Sequence, residues 1–158
     1  MGGARIHLDA ETFERNDSGL TYGEIWLELD GRGFPDPGWT DFAVRVLSWW
    51  VDAVLVLLKR EAAAAEILFM DGPYEVEIQV EGPEAWRVSA IARGRLARRV
   101  ALTSTVDPRP LVASVVAAAE SALTMCRARG WEDADSRTLT NSLAILRRRG
   151  LAVQRSVD

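Results

Sequence analysis

A single α+β domain built on an antiparallel sheet is the fold this sequence predicts. Three observations lead there: apolar and polar residues alternate from Tyr22 to Asp30 and from Tyr74 to Val80, short Gly/Pro turns join the later segments, and two C-terminal stretches carry apolar residues at helical spacing. The expected sheet has about five to six strands, with a long helix after the second strand and two C-terminal helices packed on one face. One domain spanning residues 1–158 suffices, because no repeat, heptad array or low-complexity linker divides the chain.

Arg5 to Asp9 suits a short opening strand. Ala10 to Leu20 is polar, with Asn16-Asp-Ser-Gly as a turn. In the next strand Gly23, Ile25, Leu27 and Leu29 face one way, and Glu24, Trp26, Glu28 and Asp30 the other. Gly31 to Gly38 is a loop stiffened by Pro35 and Pro37. Thr40 or Asp41 then offers a helix cap. The helix runs to about Arg60, with Trp49 and Trp50 expected in its wide apolar arc. Glu61 to Glu66 continues it in local pattern.

Strands at Ile67–Met70, Tyr74–Val80, Ala85–Ala92 and Leu96–Val106 follow, joined by turns at Asp71-Gly72-Pro73, Gly82-Pro83 and Arg93-Gly94. Asp107 before Pro108 starts a helix that Gly130 closes. Asp135 or Ser136 opens the last helix, in which Leu139, Leu143 and Leu146 form a stripe ending at Gly150.

Composition narrows the function. No apolar run reaches the roughly 18 residues that span a bilayer, and Met1 to His7 lacks the apolar stretch of a secretory signal. A cytoplasmic setting without membrane partners is the expectation. One cysteine, Cys126, and one histidine, His7, leave no internal disulfide and no Cys/His zinc site. Cys126 sits in a helical pattern that favours a buried, inert thiol. Residues 1–82 hold 16 acidic and 6 basic side chains, net −10, and residues 83–158 hold 7 and 13, net +6. Such asymmetry favours either oriented association or neutralisation within the fold.

The chain has no P-loop, GxGxxG, GxSxG, HExxH or calcium-loop pattern, so no catalytic residue, metal ligand or cofactor is assigned. Arginines cluster at Arg93–Arg99 and Arg147–Arg149. Without a nucleic-acid-binding signature, and with a pI near 5.1, they do not point to nucleic acid. Glu75, Glu77 and Glu81, with Glu24 and Glu28, suit either solvated strand faces or an acidic patch for a basic partner.

The most individual stretch is Phe34-Pro-Asp-Pro-Gly-Trp-Thr-Asp-Phe, with Leu47-Ser-Trp-Trp and Phe69-Met-Asp-Gly-Pro-Tyr downstream. These aromatics either staple the loop and fill the core or anchor a partner. Over residues 24–80 this pattern resembles a group of small bacterial proteins, some similar to immunity proteins of polymorphic toxin systems. The resemblance implies a protein-binding role and carries over no functional residue.

The expected function is therefore a non-enzymatic protein-binding module, in its specific form an immunity protein that neutralises a basic toxin domain. Phe34, Asp36, Trp39, Asp71 and Glu75 are the candidate contacts, with the first four partly exposed. The alternative is a ligand-binding or enzymatic domain with a pocket lined by Trp49, Trp50 and Trp86. A third reading is a subunit that dimerises through a sheet edge or the Leu139–Leu146 helix.

Overall fold

The computed structural model describes residues 1–155. Its order is β1 (Ala4–Arg15), β2 (Thr21–Leu29), β3 (Arg32–Phe34), β4 (Thr40–Asp41), α1 (Ala43–Leu58), β5 (Ala64–Leu68), β6 (Tyr74–Gly82), β7 (Ala85–Arg93), β8 (Arg98–Val106), α2 (Pro108–Ala128) and α3 (Ala134–Arg155). The α+β class holds, but the strands form two four-stranded antiparallel sheets instead of one sheet of five to six. In the first sheet β2 is central, with β1 on one side and both β3 and β4 on the other; the second runs β5-β6-β7-β8.

Two features depart from the expected strands. The stretch read as a polar loop after Asp9 continues β1 through a bulge. There Thr12 turns its hydroxyl to accept the Glu24 N–H at 2.9 Å, and Phe13 drops into the core opposite Gly23. The bulge inserts residues that break the two-residue period, so the alternation is lost while the pairing resumes at Glu14↔Tyr22. The Gly/Pro loop supplies the short strands β3 and β4, which places the long helix after the fourth strand and not the second.

The two sheets touch at one edge. Gly2 bridges to Val106 in parallel, its N–H donating to the Thr105 carbonyl at 2.9 Å, and the Gly3 N–H donates to the Asp30 carboxylate at 2.9 Å. Hydrogen bonds from Ser104 and the Gly3 backbone hold Asp30 below the ordinary carboxylate pKa.

Helix α1 ends two residues earlier than its pattern suggests. Lys59 is the C-cap and Arg60 turns left-handed at φ 58°, so the chain is already reversing when the Ala-rich run begins. β5 then takes residues from Ala64, pairing Ile67 with Val76. Asp107 caps α2 as expected, accepting the Arg109 N–H at 2.9 Å, and Gly130 closes it at φ 68°. The last helix begins one or two residues early, at Ala134, because Asp133 and Ser136 exchange side-chain and backbone hydrogen bonds at 2.9 Å, a reciprocal capping arrangement. It also runs through Gly150 to Arg155.

One core joins both sheets and all three helices. α2 packs on β1, α1 packs on β5 and β2, and α3 makes its main contacts with α1 and α2. The C-terminal helices therefore do not share one sheet face. α2 reaches a mean hydropathy of 1.4, enough by length and composition for a membrane span, yet Leu111, Val115, Ala119, Ala122 and Cys126 of its stripe are buried inside the fold. Trp50 is wholly buried and donates from Nε1 to the Leu68 carbonyl at 2.8 Å. Trp49, expected beside it in the core, is 39% exposed. One residue is a 100° rotation on a helix, and Trp49 lies three or four residues from Arg45 and Asp52, which face α3 through Asp135 and Ser142.

The Phe13–Gly23 pair yields a test of the bulge. A Cβ on Gly23 would lie against the Phe13 ring, 2.9 Å from Cε1, and Phe13 is only 1% exposed. Gly23→Ala is expected to cost about 1–3 kcal/mol through overpacking. For a chain of this size each kcal/mol lowers the melting temperature by roughly 2–4 °C; an unchanged melt would show that the bulge relaxes freely.

Candidate partner-binding surfaces

Carboxylates and aromatics decide what this fold can present to a partner. The loop from β3 to α1 is folded around Asp41, which is 2% exposed. Its Oδ1 accepts the Phe42 N–H at 2.7 Å, and Oδ2 accepts Trp39 Nε1 at 3.2 Å and the Asp71 N–H at 3.1 Å. Asp41 does not cap α1 in the expected way: Phe42 occupies the N-cap position with no side-chain cap bond. The carboxylate instead ties the loop, the helix entry and the β5–β6 turn together.

The aromatic residues of the distinctive motif close the same seam. Phe34 packs edge-on to Phe69 and Tyr74, with centroids 6.1 and 5.6 Å apart, and Trp39 meets Tyr74 at 5.3 Å. Phe34 is 4% exposed, which corrects the expectation of a partly exposed contact. Trp39 is half-buried, and Asp36 and Asp71 are exposed. The structural role of these aromatics is thus direct, while the two aspartates remain open to solvent.

Glu75 is also buried, at 3% exposure. Its carboxylate meets Arg93 Nη2 at 3.0 Å and Arg98 Nε at 2.9 Å, and Arg98 Nη2 reaches Glu77 at 2.8 Å. Glu81 pairs with Arg87. The three β6 glutamates are therefore paired from within and Glu75 is already engaged, whereas Glu66, opposite Glu77 on β5, has no cation within 4.0 Å among the described residues. The Arg98 hydrogen bond holds the Glu77 carboxyl below its ordinary range, and both glutamates raise the Arg98 guanidinium.

The open face of the first sheet is different. Cross-strand register places His7 opposite Trp26, Asp9 opposite Glu24, Arg5 opposite Glu28 and Glu14 opposite Tyr22. His7 and Trp26 stack in parallel, centroids 4.9 Å apart and planes 4° apart. His7 Nε2 shares a 3.2 Å hydrogen bond with Glu28, and the Arg5 guanidinium lies 4.0 Å from the same carboxylate. Tyr22 donates to Glu14 at 2.8 Å, and that bond raises the phenol pKa. Glu24 and Asp9 have no cation within 4.0 Å among the described residues. Aromatic rings here sit among uncompensated carboxylates. The alternation that predicted β2 already set Glu24, Trp26 and Glu28 on one face; what it could not supply was the β1 register that brings His7 and Asp9 beside them.

Two other expectations meet geometry. Trp49, Trp50 and Trp86 do not gather around a cavity: Trp49 lies on the outer side of α1, and the space around Trp50, Phe69 and Ile78 has no room for a water-sized molecule. Cys126 is 1% exposed, and burial pushes its thiol pKa up, whereas His7 lies on the open sheet face. They do not form a nucleophile pair. Behind Cys126, Arg15 and Arg129 flank Trp131 at 5.9 and 4.9 Å, and Arg15 meets Asp133 at 2.7 Å, clamping the end of β1 to the α2–α3 connection.

Comparison of the chain with protein-family models, curated proteins and solved structures gives no match.

The pairing of Glu77 sets a pH dependence. Its folded pKa is depressed, so its contribution is present above the unfolded carboxylate value and is lost as pH falls through the folded one. Glu77→Gln should flatten the acid limb of a stability-versus-pH curve below about pH 4.3 while changing the limb above neutrality little; identical acid limbs would remove Glu77 from the account. For Cys126, a thiol-reactive dye should label the native protein at only a small fraction of its rate on the denatured chain. Equal rates would mean that α2 opens readily.

Proposed function

We propose that this chain is a non-enzymatic protein-binding module, in its specific form an immunity protein that masks a basic toxin domain. The open face of the β1–β2 sheet is its principal contact surface. One observation carries the reading: Tyr22 and Trp26 lie among Asp9, Glu14, Glu24 and Glu28, of which Asp9 and Glu24 have no cation within 4.0 Å among the described residues, while Glu75, Glu77 and Glu81 of the other sheet are taken up by arginines.

An indole held by stacking loses little side-chain freedom on binding and offers a large apolar area, the profile of an interface anchor. Uncompensated carboxylates around it steer a basic partner and disfavour acidic ones. Asp36, exposed on the adjoining loop, extends the same charge, and the half-buried Trp39 supports that loop. The filled space around Trp50 supports this reading over a ligand pocket between sheet and helix.

Co-expression with a basic toxin domain encoded beside it should restore growth and give a stable complex. Glu24→Lys and Trp26→Ala should each weaken that complex about ten-fold or more, with Glu24→Lys leaving the melting temperature nearly unchanged. Charge reversal of Asp36 should slow association more than it speeds release. Absence of both protection and complex would defeat the reading; full affinity in both variants would move the contact elsewhere.

A further inference from the structure

The free edge of the second sheet lies far from the acidic face in character. β8 ends the order β5-β6-β7-β8, and among the described residues only Gly2 pairs with its outer side, at the Val106 end. The Thr105 carbonyl points away from β7 to receive the Gly2 N–H. Antiparallel pairing alternates, so the N–H and C=O of Thr103, two residues back, point out along the same edge.

Every residue from Arg93 to Ala101 is exposed. Within that run Leu96 is 100% exposed and Val100 is 54% exposed. Arg93, Arg95, Arg98 and Arg99 stand against only Glu75 and Glu77, and Arg95 and Arg99 have no carboxylate within 4.0 Å among the described residues. The edge thus combines unpaired backbone groups, two solvent-facing apolar side chains and surplus positive charge.

We propose that the β8 edge from Arg98 to Thr103, with the β7–β8 hairpin tip, receives an extended acidic segment of a partner protein by strand addition. Backbone groups on both chains complete the ladder, Val100 and Leu96 take alternate apolar side chains, and Arg95 and Arg99 take carboxylates. Charge decides against a second copy as occupant, because edge-to-edge pairing would set two such arginine groups side by side. The β8 bulge, where Ala101 has no partner between the pairs Ala90↔Leu102 and Ile91↔Val100, and the arginines also discourage indiscriminate edge pairing, so the occupant must bring its own negative charge. The inference does not depend on the proposed role of the acidic face.

The test uses a fluorescent, acetylated peptide of alternating glutamate and valine, followed by anisotropy and by amide hydrogen exchange. Saturable binding with new protection at Thr103 is expected. Arg95→Glu with Arg99→Glu, or Thr103→Pro, should weaken it about ten-fold or more. Thr103→Pro removes an outward N–H and no ladder bond, and melting curves confirm that each variant is folded. The same peptide N-methylated at alternate residues keeps every charge; equal binding by it would reduce the contact to electrostatics and overturn strand addition. No binding at low salt, or a dimer of the protein that Thr103→Pro abolishes, would also overturn it.

Discussion

The carboxylate of Asp41 is the constraint on which the remaining arrangement depends. A charged group at 2% exposure is tolerated only when its oxygens are filled, and here three N–H groups fill them: one from the next residue, one from the Trp39 indole and one from the Asp71 backbone. These donors come from two distant parts of the chain, the loop that enters α1 and the β5–β6 turn. Asp41 belongs to the first sheet through β4, Phe42 begins α1, and Asp71 lies in the turn of the second sheet. One side chain therefore ties the first sheet, the helix entry and the turn of the second sheet together. Losing the carboxylate there would leave these donors without their partner, at a cost of about 1–3 kcal/mol for each one that water does not reach.

That arrangement explains what the sequence made legible and what it hid. β2 and β6 could be read because every second residue faces the core, and α2 could be read because Asp107, Pro108 and Gly130 mark its ends chemically. The second half of β1 could not. Its bulge shifts Phe13 inward through a local rearrangement that depends on the absence of a Cβ at Gly23, a residue on the neighbouring strand. Trp49 and Trp50 share composition and neighbourhood; what separates them is the second sheet, against whose Leu68 carbonyl and Phe69 ring Trp50 packs. The motif residues from Phe34 to Tyr74 were recognisable as unusual. Whether they stitched the fold or met a partner depended on contacts between sheets, which periodicity does not report.

The same limit applied to charge. The acidic first half and basic second half of the chain admitted both neutralisation and association, and the structure uses the first over much of its area. Arg93 and Arg98 of the later strands reach back to Glu75, and Arg98 also to Glu77. Arg45 and Asp135 join α1 to α3, and Arg15 and Asp133 join β1 to the α2–α3 connection. Several of these pairs hold elements distant in sequence, so their value lies in geometry as much as in Coulomb energy, which is small at half-exposed sites.

What remains after this internal pairing is unevenly placed. β1 and β2 are both drawn from the acidic half, so their open face has few basic side chains nearby: Arg5 is the only arginine in its register with Glu28. β7 and β8 come from the basic half, and the hairpin between them carries more arginines than β6 has carboxylates to meet. The first sheet thus retains the sign of the half that built it, and in the second, which draws β5 and β6 from the acidic half, the surplus of arginine is confined to the β7–β8 hairpin. A folded chain with net charge −4 can still present a positive edge, because net charge averages over surfaces that a partner never sees together. Sheet topology, by keeping β1 and β2 together and placing β8 at the edge beside β7, converts an asymmetry along the sequence into two separated surfaces in space.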